Sequence, residues 1–390
     1  MTDAEKALRV LIDKVLKERR YEPSEIKIQE MSSGGRNYTS LLFLISICLP
    51  EKKLKLFAKV ANIGKELRDI MQADWLYGTE KFVYTRLMHL YNELQKDLKD
   101  EYRYVFPEFY GISEETGKET VIMENLVESG YEEYDRFKSL DWDHGRIGVE
   151  TLAKFHALSF ALDKSDPETF KKITDNMIYR IGGEEETQSS KNIWIENDLI
   201  ERSLSVLNEG DRAAVRKLIV NSNTMSVFNK PINKPVISHG DYRLSNLLFK
   251  GQGDELKVRV VDYQTVHAGC AVTDLVYFIY LSSDEEFLRL YFDKLANHYY
   301  ASLEAALKRL SVDPIEVYPR EQFERDLKEK LPYAVMAGVL LLPVIVADEN
   351  SGPKLNNDLA DVSTFIWKTN DLFAERLRGI VSECIRRGVL

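Results

Sequence analysis

Three oxygen-bearing side chains recur at telling intervals in this chain. Asp241 and Asn246 lie in the run His239-Gly240-Asp241-Tyr242-Arg243-Leu244-Ser245-Asn246, and Asp262 follows the asparagine by sixteen residues. Magnesium takes hard oxygen ligands and keeps several waters, so one carboxylate and one amide oxygen hold it when nucleotide phosphates complete the shell. Asn246 and Asp262 fit that role, which leaves Asp241 to accept the proton of a substrate hydroxyl. Each acid alone reads as an ordinary strand terminus, since Asp is common in turns. His-Gly-Asp, then Asn after four intervening residues, then an apolar strand ending in a second acid, is a far more specific pattern and points to phosphoryl transfer.

The surrounding sequence predicts how these groups are positioned. Pro235-Val236-Ile237-Ser238 and Leu247-Leu248-Phe249 are apolar runs, Gly251-Gln252-Gly253-Asp254 is a turn cluster, and Lys257 to Val261 alternates before ending at Asp262. A β-hairpin within 236–264 is expected, with Asp241, Asn246 and Asp262 gathered at its ends. Arg243, two residues past the base, reads equally as a γ-phosphate contact or a surface arginine. Asp274, within Ala271 to Tyr277, is expected to fix the backbone of the catalytic loop.

Upstream, apolar positions Leu8, Leu11, Ile12, Val15 and Leu16 give a leading helix over 4–20. Strand-like alternation follows from Glu25, is broken by Met31 to Tyr38, and resumes from Leu41 to Leu49. The break carries Ser33, Gly34, Gly35 and Asn37, a flap able to close over phosphates through its N–H groups; a turn that merely joins two strands is the plainer reading. A P-loop consensus is absent. The third strand, Leu54 to Val60, places Lys59 near its end, where an ammonium reaches α- and β-phosphates. Glu80 shares a helical face with Val83, Tyr84, Leu87 and Tyr91. A carboxylate on an apolar face is costly unless paired, and Lys59 is its natural partner; Glu66 is a rival for the same lysine.

Two further strands are expected around the turn Glu114–Lys118, ending in Met123-Glu124-Asn125-Leu126, after which helical periods dominate. The lobe boundary is placed there: residues 1–126 form a small β-rich N-lobe, and 127–390 a large, mainly helical C-lobe. Val149 to Leu162 is strongly periodic, and His156 within it reads as a satisfied core histidine.

With 390 residues, 44% hydrophobic and 30% charged, the chain is long enough for two well-filled lobes. A net charge of −10 argues against nucleic acid or an anionic membrane as main partner. Three widely spaced cysteines, Cys48, Cys270 and Cys384, indicate neither a disulfide framework nor a zinc site. The longest apolar run, Ala337 to Ala347, is too short to span a bilayer. A cytoplasmic, monomeric enzyme is expected.

The order of parts resembles the kinase fold in its small-molecule branch, the aminoglycoside and choline phosphotransferases: glycine turn, Lys59, Glu80, the Met-Glu-Asn-Leu crossing, the HGD loop and the Asp262 strand. Within that branch Lys154-Phe155-His156-Ala157-Leu158-Ser159, Asn246-Leu247-Leu248-Phe249 and Val261-Asp262-Tyr263-Gln264 look like the ecdysteroid kinase-like (CHK kinase-like) family of insects and other invertebrates. The similarity covers roughly residues 25–385. It implies an α+β, two-lobed fold and ATP- and Mg²⁺-dependent phosphorylation of a hydroxyl on a small, often hydrophobic molecule such as an ecdysteroid or a xenobiotic. It further implies that Asp241 is the base, Asn246 and Asp262 the Mg²⁺ ligands, Lys59 the phosphate lysine and Glu80 its partner, with Met123 to Leu126 beside adenine. Tyr263 and Gln264 stand where protein kinases have Phe and Gly, and Ala-Pro-Glu is absent, so neither an activation loop nor a protein substrate is expected. Two competing functions share these residues: a kinase of a cationic alcohol such as choline or an aminoglycoside, and a non-catalytic small-molecule binder. Tyr131, Tyr134, Phe137, Trp142, Trp194 and Trp367 are candidates to line a substrate pocket or to fill cores.

Overall fold

The structure, a computed structural model, describes residues 2–31, 40–180, 199–222, 226–348, 351 and 368–390. Helix α1 (Asp3–Arg19) starts where the Thr2 hydroxyl accepts from the Glu5 N–H, and Asp3 and Glu5 oppose Lys17 and Arg19 along its dipole. It stops at Arg20, whose φ of 56° is left-handed. Its buried stripe, Leu8, Leu11, Ile12, Val15 and Leu16, lies in one core with Phe43, Ile45, Ile47, Leu56 and Val60.

Those partners belong to a five-stranded sheet of β1 (Glu25–Met31), β2 (Ser40–Cys48), β3 (Lys53–Ala61), β4 (Phe109–Ser113) and β5 (Thr120–Glu124). The order is β1-β2-β3-β5-β4, with every neighbouring pair antiparallel. After β3 come α2 (Lys65–Ile70), α3 (Ala73–Phe82), a π turn over Val83–Leu87 and α4 (Met88–Leu94). The helical run that carries Glu80 therefore contains a π turn, through which Val83, Tyr84, Leu87 and Tyr91 all remain buried. The expected flap residues Ser33, Gly34, Gly35 and Asn37 lie outside the described residues.

The second lobe is helical around one large core. Its first helices are α5 (Trp142–Ser165), α6 (Pro167–Asn176), α7 (Leu199–Leu204), α8 (Glu209–Ser222) and α9 (Ser226–Asn229). Then follow α10 (Ala271–Leu281), α11 (Glu285–Arg309), α12 (Pro314–Val317), α13 (Arg320–Lys330), α14 (Tyr333–Leu340), α15 (Leu342–Ile345) and α16 (Asp371–Arg386). Every residue of α10 is buried, Thr273 and Asp274 among otherwise apolar or aromatic side chains, so this helix runs through the core of the lobe.

Two small sheets interrupt the helices. The expected hairpin is present as β8 (Leu247–Lys250) and β9 (Lys257–Val260), and β6 (Glu132–Glu133) adds a third strand beside β8. The apolar run before the HGD loop is not part of that hairpin. It forms β7 (Val236–Ser238), which pairs with β10 (His267–Gly269), a strand too short for its sequence to announce. Among the described residues no helix is long and apolar enough to cross a membrane.

Candidate active site

Strand β3 delivers the lysine. Leu54, Leu56, Ala58 and Val60 are buried in the core under α1, so the alternation of a strand turns Lys59 to the opposite face, toward α3. Its Nζ donates to Glu80 Oε1 at 3.1 Å and to Asp262 Oδ1 at 2.8 Å. Glu80 is 3% exposed and pairs with this lysine; the side chain of Glu66, the rival, lies outside what is described.

One ammonium thus serves two carboxylates. Burial alone favours the neutral amine, yet the Asp262 and Glu80 charges outweigh it and raise the Lys59 pKa. Burial also disfavours both acids. For Asp262 the Lys59 charge and hydrogen bond, with Arg243 and His239 nearby, overcome that penalty and hold the carboxyl below its usual range. For Glu80 burial prevails over Lys59, assisted by repulsion from Asp262, and its pKa rises.

Asp262 has φ 68° and ψ 62°, a left-handed conformation that few non-glycine residues adopt. Tyr263, which follows it, explains how that turn is held. Its ring is fully buried against Tyr84, Phe106, Phe155 and His239, and its hydroxyl meets the Tyr104 hydroxyl at 2.7 Å.

The HGD loop hangs from α10. Asp274 Oδ2 accepts from the His239 N–H at 2.7 Å and Oδ1 from the Gly240 N–H at 2.9 Å, the backbone-fixing role expected of it. His156 also reaches Asp274 Oδ2, at 3.2 Å, and Tyr299 at 2.7 Å, so it is a satisfied core histidine. Gly240 has φ +82°, and a Cβ there would run into the Thr265 carbonyl oxygen and the His267 ring. Burial lowers the His239 pKa against the pull of Asp274, favouring the neutral ring.

The Asp241 carboxylate is held by three donors. Tyr277 OH donates to Oδ1 at 2.6 Å, while Arg243 Nε at 3.0 Å and Asn246 Nδ2 at 2.9 Å both donate to Oδ2. Arg243, expected as either a phosphate contact or a surface arginine, is thus an ion-pair partner of Asp241. Tyr277 was not singled out in the sequence; its only signal is its place one helical turn beyond Asp274 on α10. Asn246 Nδ2 also donates to the Asp241 carbonyl at 2.9 Å, and the Val261 N–H donates to the Asn246 carbonyl at 2.9 Å. That last bond closes the mouth of the β8–β9 hairpin and sets residues 246 and 262 side by side.

The amide group of Asn246 is therefore oriented, with its NH₂ toward two acceptors and its oxygen turned away. Among the described residues no three His, Cys, Asp or Glu side chains gather as a metal cage. The amide oxygen of Asn246 and the Asp262 carboxylate are hard donors of the kind magnesium takes, few enough to leave room for phosphate and water. The residues present fit Mg²⁺ with a nucleotide triphosphate.

Other expected positions are placed differently. In the crossing, the Glu124 N–H donates to the Glu108 carbonyl and the Asn125 N–H to the Lys55 carbonyl. Met123 pairs within the sheet with Phe57 and Phe109. Tyr131 is buried with Leu126 and Leu248 beneath Arg259, whereas Tyr134 and Trp142 line a cavity with Asp141 and Phe249, packing against His144 and Tyr291 respectively. Phe137 is 43% exposed under the Arg136 guanidinium. None of these four touches Asp241. Trp194 and Trp367 lie outside the described residues.

A sheet lobe bearing a lysine–glutamate pair, set over a helical lobe with an HGD loop and an acid-tipped strand, is the arrangement of a kinase-like protein. The model of the ecdysteroid kinase-like family matches residues 34–312, well over half the chain, and the chain belongs to that family. Among solved structures 22 chains are similar. One is the microcompartment-associated aminopropanol kinase, 11% identical with a TM-score of 0.44, over 97% of this chain and 98% of that one. No curated protein matches the sequence.

Proposed function

We propose that this chain transfers the γ-phosphate of ATP to a hydroxyl of a small hydrophobic molecule, of the ecdysteroid or xenobiotic-alcohol class. The observation that carries the reading is Asp241, a carboxylate held in one orientation by Tyr277, Arg243 and Asn246, in a site that also joins Asp262 to Lys59. Bound Mg·ATP supplies the phosphoryl group and spreads its developing charge over the metal. Asn246 and Asp262 would hold the metal, and Lys59, steadied by Glu80, would hold the α- and β-phosphates. Asp241 orients the acceptor hydroxyl and takes its proton as the new O–P bond forms. Arg243, fixed through Nε, keeps its two terminal nitrogens for the transferring phosphate. Membership of the ecdysteroid kinase-like family supports the small-molecule acceptor and its hydrophobic class.

The test is transfer of label from Mg·[γ-³²P]ATP to a panel of steroids, apolar xenobiotic alcohols, choline and aminoglycosides. Labelled steroid or apolar products support the proposal. Labelling confined to choline or aminoglycosides would replace the acceptor class, and labelling of nothing would remove the enzyme.

A further inference from the structure

The side chains around Asp241 distinguish its two oxygens. Oδ2 receives two donors, Arg243 Nε and Asn246 Nδ2, and a carboxylate oxygen has about two lone-pair sites. Oδ1 receives one, the Tyr277 hydroxyl, at 2.6 Å. The phenol is itself held: Tyr277 is 4% exposed, and its ring stacks on Tyr333 of α14 with centroids 6.3 Å apart and an interplanar angle of 27°. It stands one turn beyond Asp274, so a single face of α10 grips three successive residues of the loop, His239 and Gly240 by their N–H groups and Asp241 by its side chain.

We propose that Tyr277 is a positioning residue for proton acceptance: its hydroxyl fixes Asp241 Oδ1 and leaves on that oxygen the one lone pair open to the acceptor. The inference rests on the phosphotransfer reading above. The acceptor O–H bond breaks, its proton passes to Oδ1, the acceptor oxygen bonds to the γ-phosphorus and the bond to ADP is released. Tyr277 keeps its own proton throughout, and burial, reinforced by the Asp241 charge, pushes its pKa well above that of a free phenol.

The experiment is steady-state kinetics of Tyr277→Phe with Mg·ATP and an acceptor labelled in the panel. It is joined to urea unfolding of Tyr277→Phe in the wild-type and Asp241→Ala backgrounds. The expected result is a kcat lowered roughly tenfold to a hundredfold, the worth of a hydrogen bond to a charged group, with both KM values within about twofold. The unfolding shift caused by Tyr277→Phe should be present with Asp241 and absent in Asp241→Ala, because the two groups form one coupled pair. An unchanged kcat, or equal destabilisation in both backgrounds with kcat and KM worsening together, would show Tyr277 to be packing alone and overturn the proposal. If wild type labels no acceptor, the phosphotransfer reading fails and takes this role with it. An active wild type with an unaffected Phe variant sinks the tyrosine and spares the reading.

Discussion

Lys59 is shared between a glutamate and the acid assigned to the metal, and that sharing makes a prediction. Glu80→Gln keeps the side chain's volume but removes one of two charges on the ammonium, which then leans on Asp262. Turnover should fall by roughly tenfold to a hundredfold, since one buried charged hydrogen bond is worth about 1.5–3 kcal/mol. The measurement is kcat/KM for ATP against wild type; an unchanged value would mean Lys59 needs no second anchor. At this level the grouping of Asp241 with Asn246, and of Asn246 with the start of the Asp262 turn, was readable from the spacing of the loop and the hairpin that follows it. Tyr277 was not readable. A tyrosine in a helix buried on every side looks like core until tertiary packing shows what its hydroxyl meets.

Helix α10 and the HGD loop form one unit, and Asp274 is its fastening. Replacing it with Asn offers one acceptor and an NH₂ group where the His239 and Gly240 N–H groups and the His156 ring converge. Destabilisation of roughly 3 kcal/mol is expected, the scale of breaking a buried charged network. Burial by itself would raise the Asp274 pKa, but the His156 hydrogen bond and the His239 and Gly240 interactions prevail and lower it. A depressed carboxyl contributes stability above its unfolded pKa and loses it as pH falls through the folded value. The wild-type margin over Asp274→Asn should therefore be full above about pH 5 and shrink below it. Denaturant midpoints of both proteins across that range are the check, and a margin constant into acid would contradict it. Gly240→Ala should cost about 2 kcal/mol or more, because its φ of +82° and the Thr265 carbonyl both exclude a Cβ; a wild-type melting curve would refute that. The β8–β9 hairpin and α10 were legible through alternation and apolarity. The β7–β10 pair was not, because three-residue strands carry no period and their pairing depends on the chain returning past the loop.

The two lobes meet at Lys59–Asp262 and at the Tyr104–Tyr263 hydroxyl pair, so nucleotide bound at that junction should stabilise the whole chain. Mg·ATP at a hundred times its Kd should contribute about 2.7 kcal/mol by mass action, read as a rise in melting temperature. Asp262→Asn should lose most of the magnesium-dependent part of that rise. A rise equal with and without magnesium in wild type would argue against the metal assignment. The two-lobed α+β architecture was legible because the hydrophobic period changes from strand-like to helical near residue 126. The acceptor pocket was not, because aromatic spacing does not separate pocket lining from core: Tyr134 and Trp142 line a cavity with Asp141 and Phe249, whereas Tyr131 is buried beside Leu126 and Leu248.

Asp241→Asn offers the most direct measurement: phosphate transfer to the best acceptor beside affinity for Mg·ATP, both relative to wild type. A carboxylate that acts only in proton transfer should, when lost, lower turnover by about 10²–10⁴ and leave nucleotide affinity within a few-fold. Transfer persisting near the wild-type rate, or affinity collapsing along with it, would contradict the role given to Asp241.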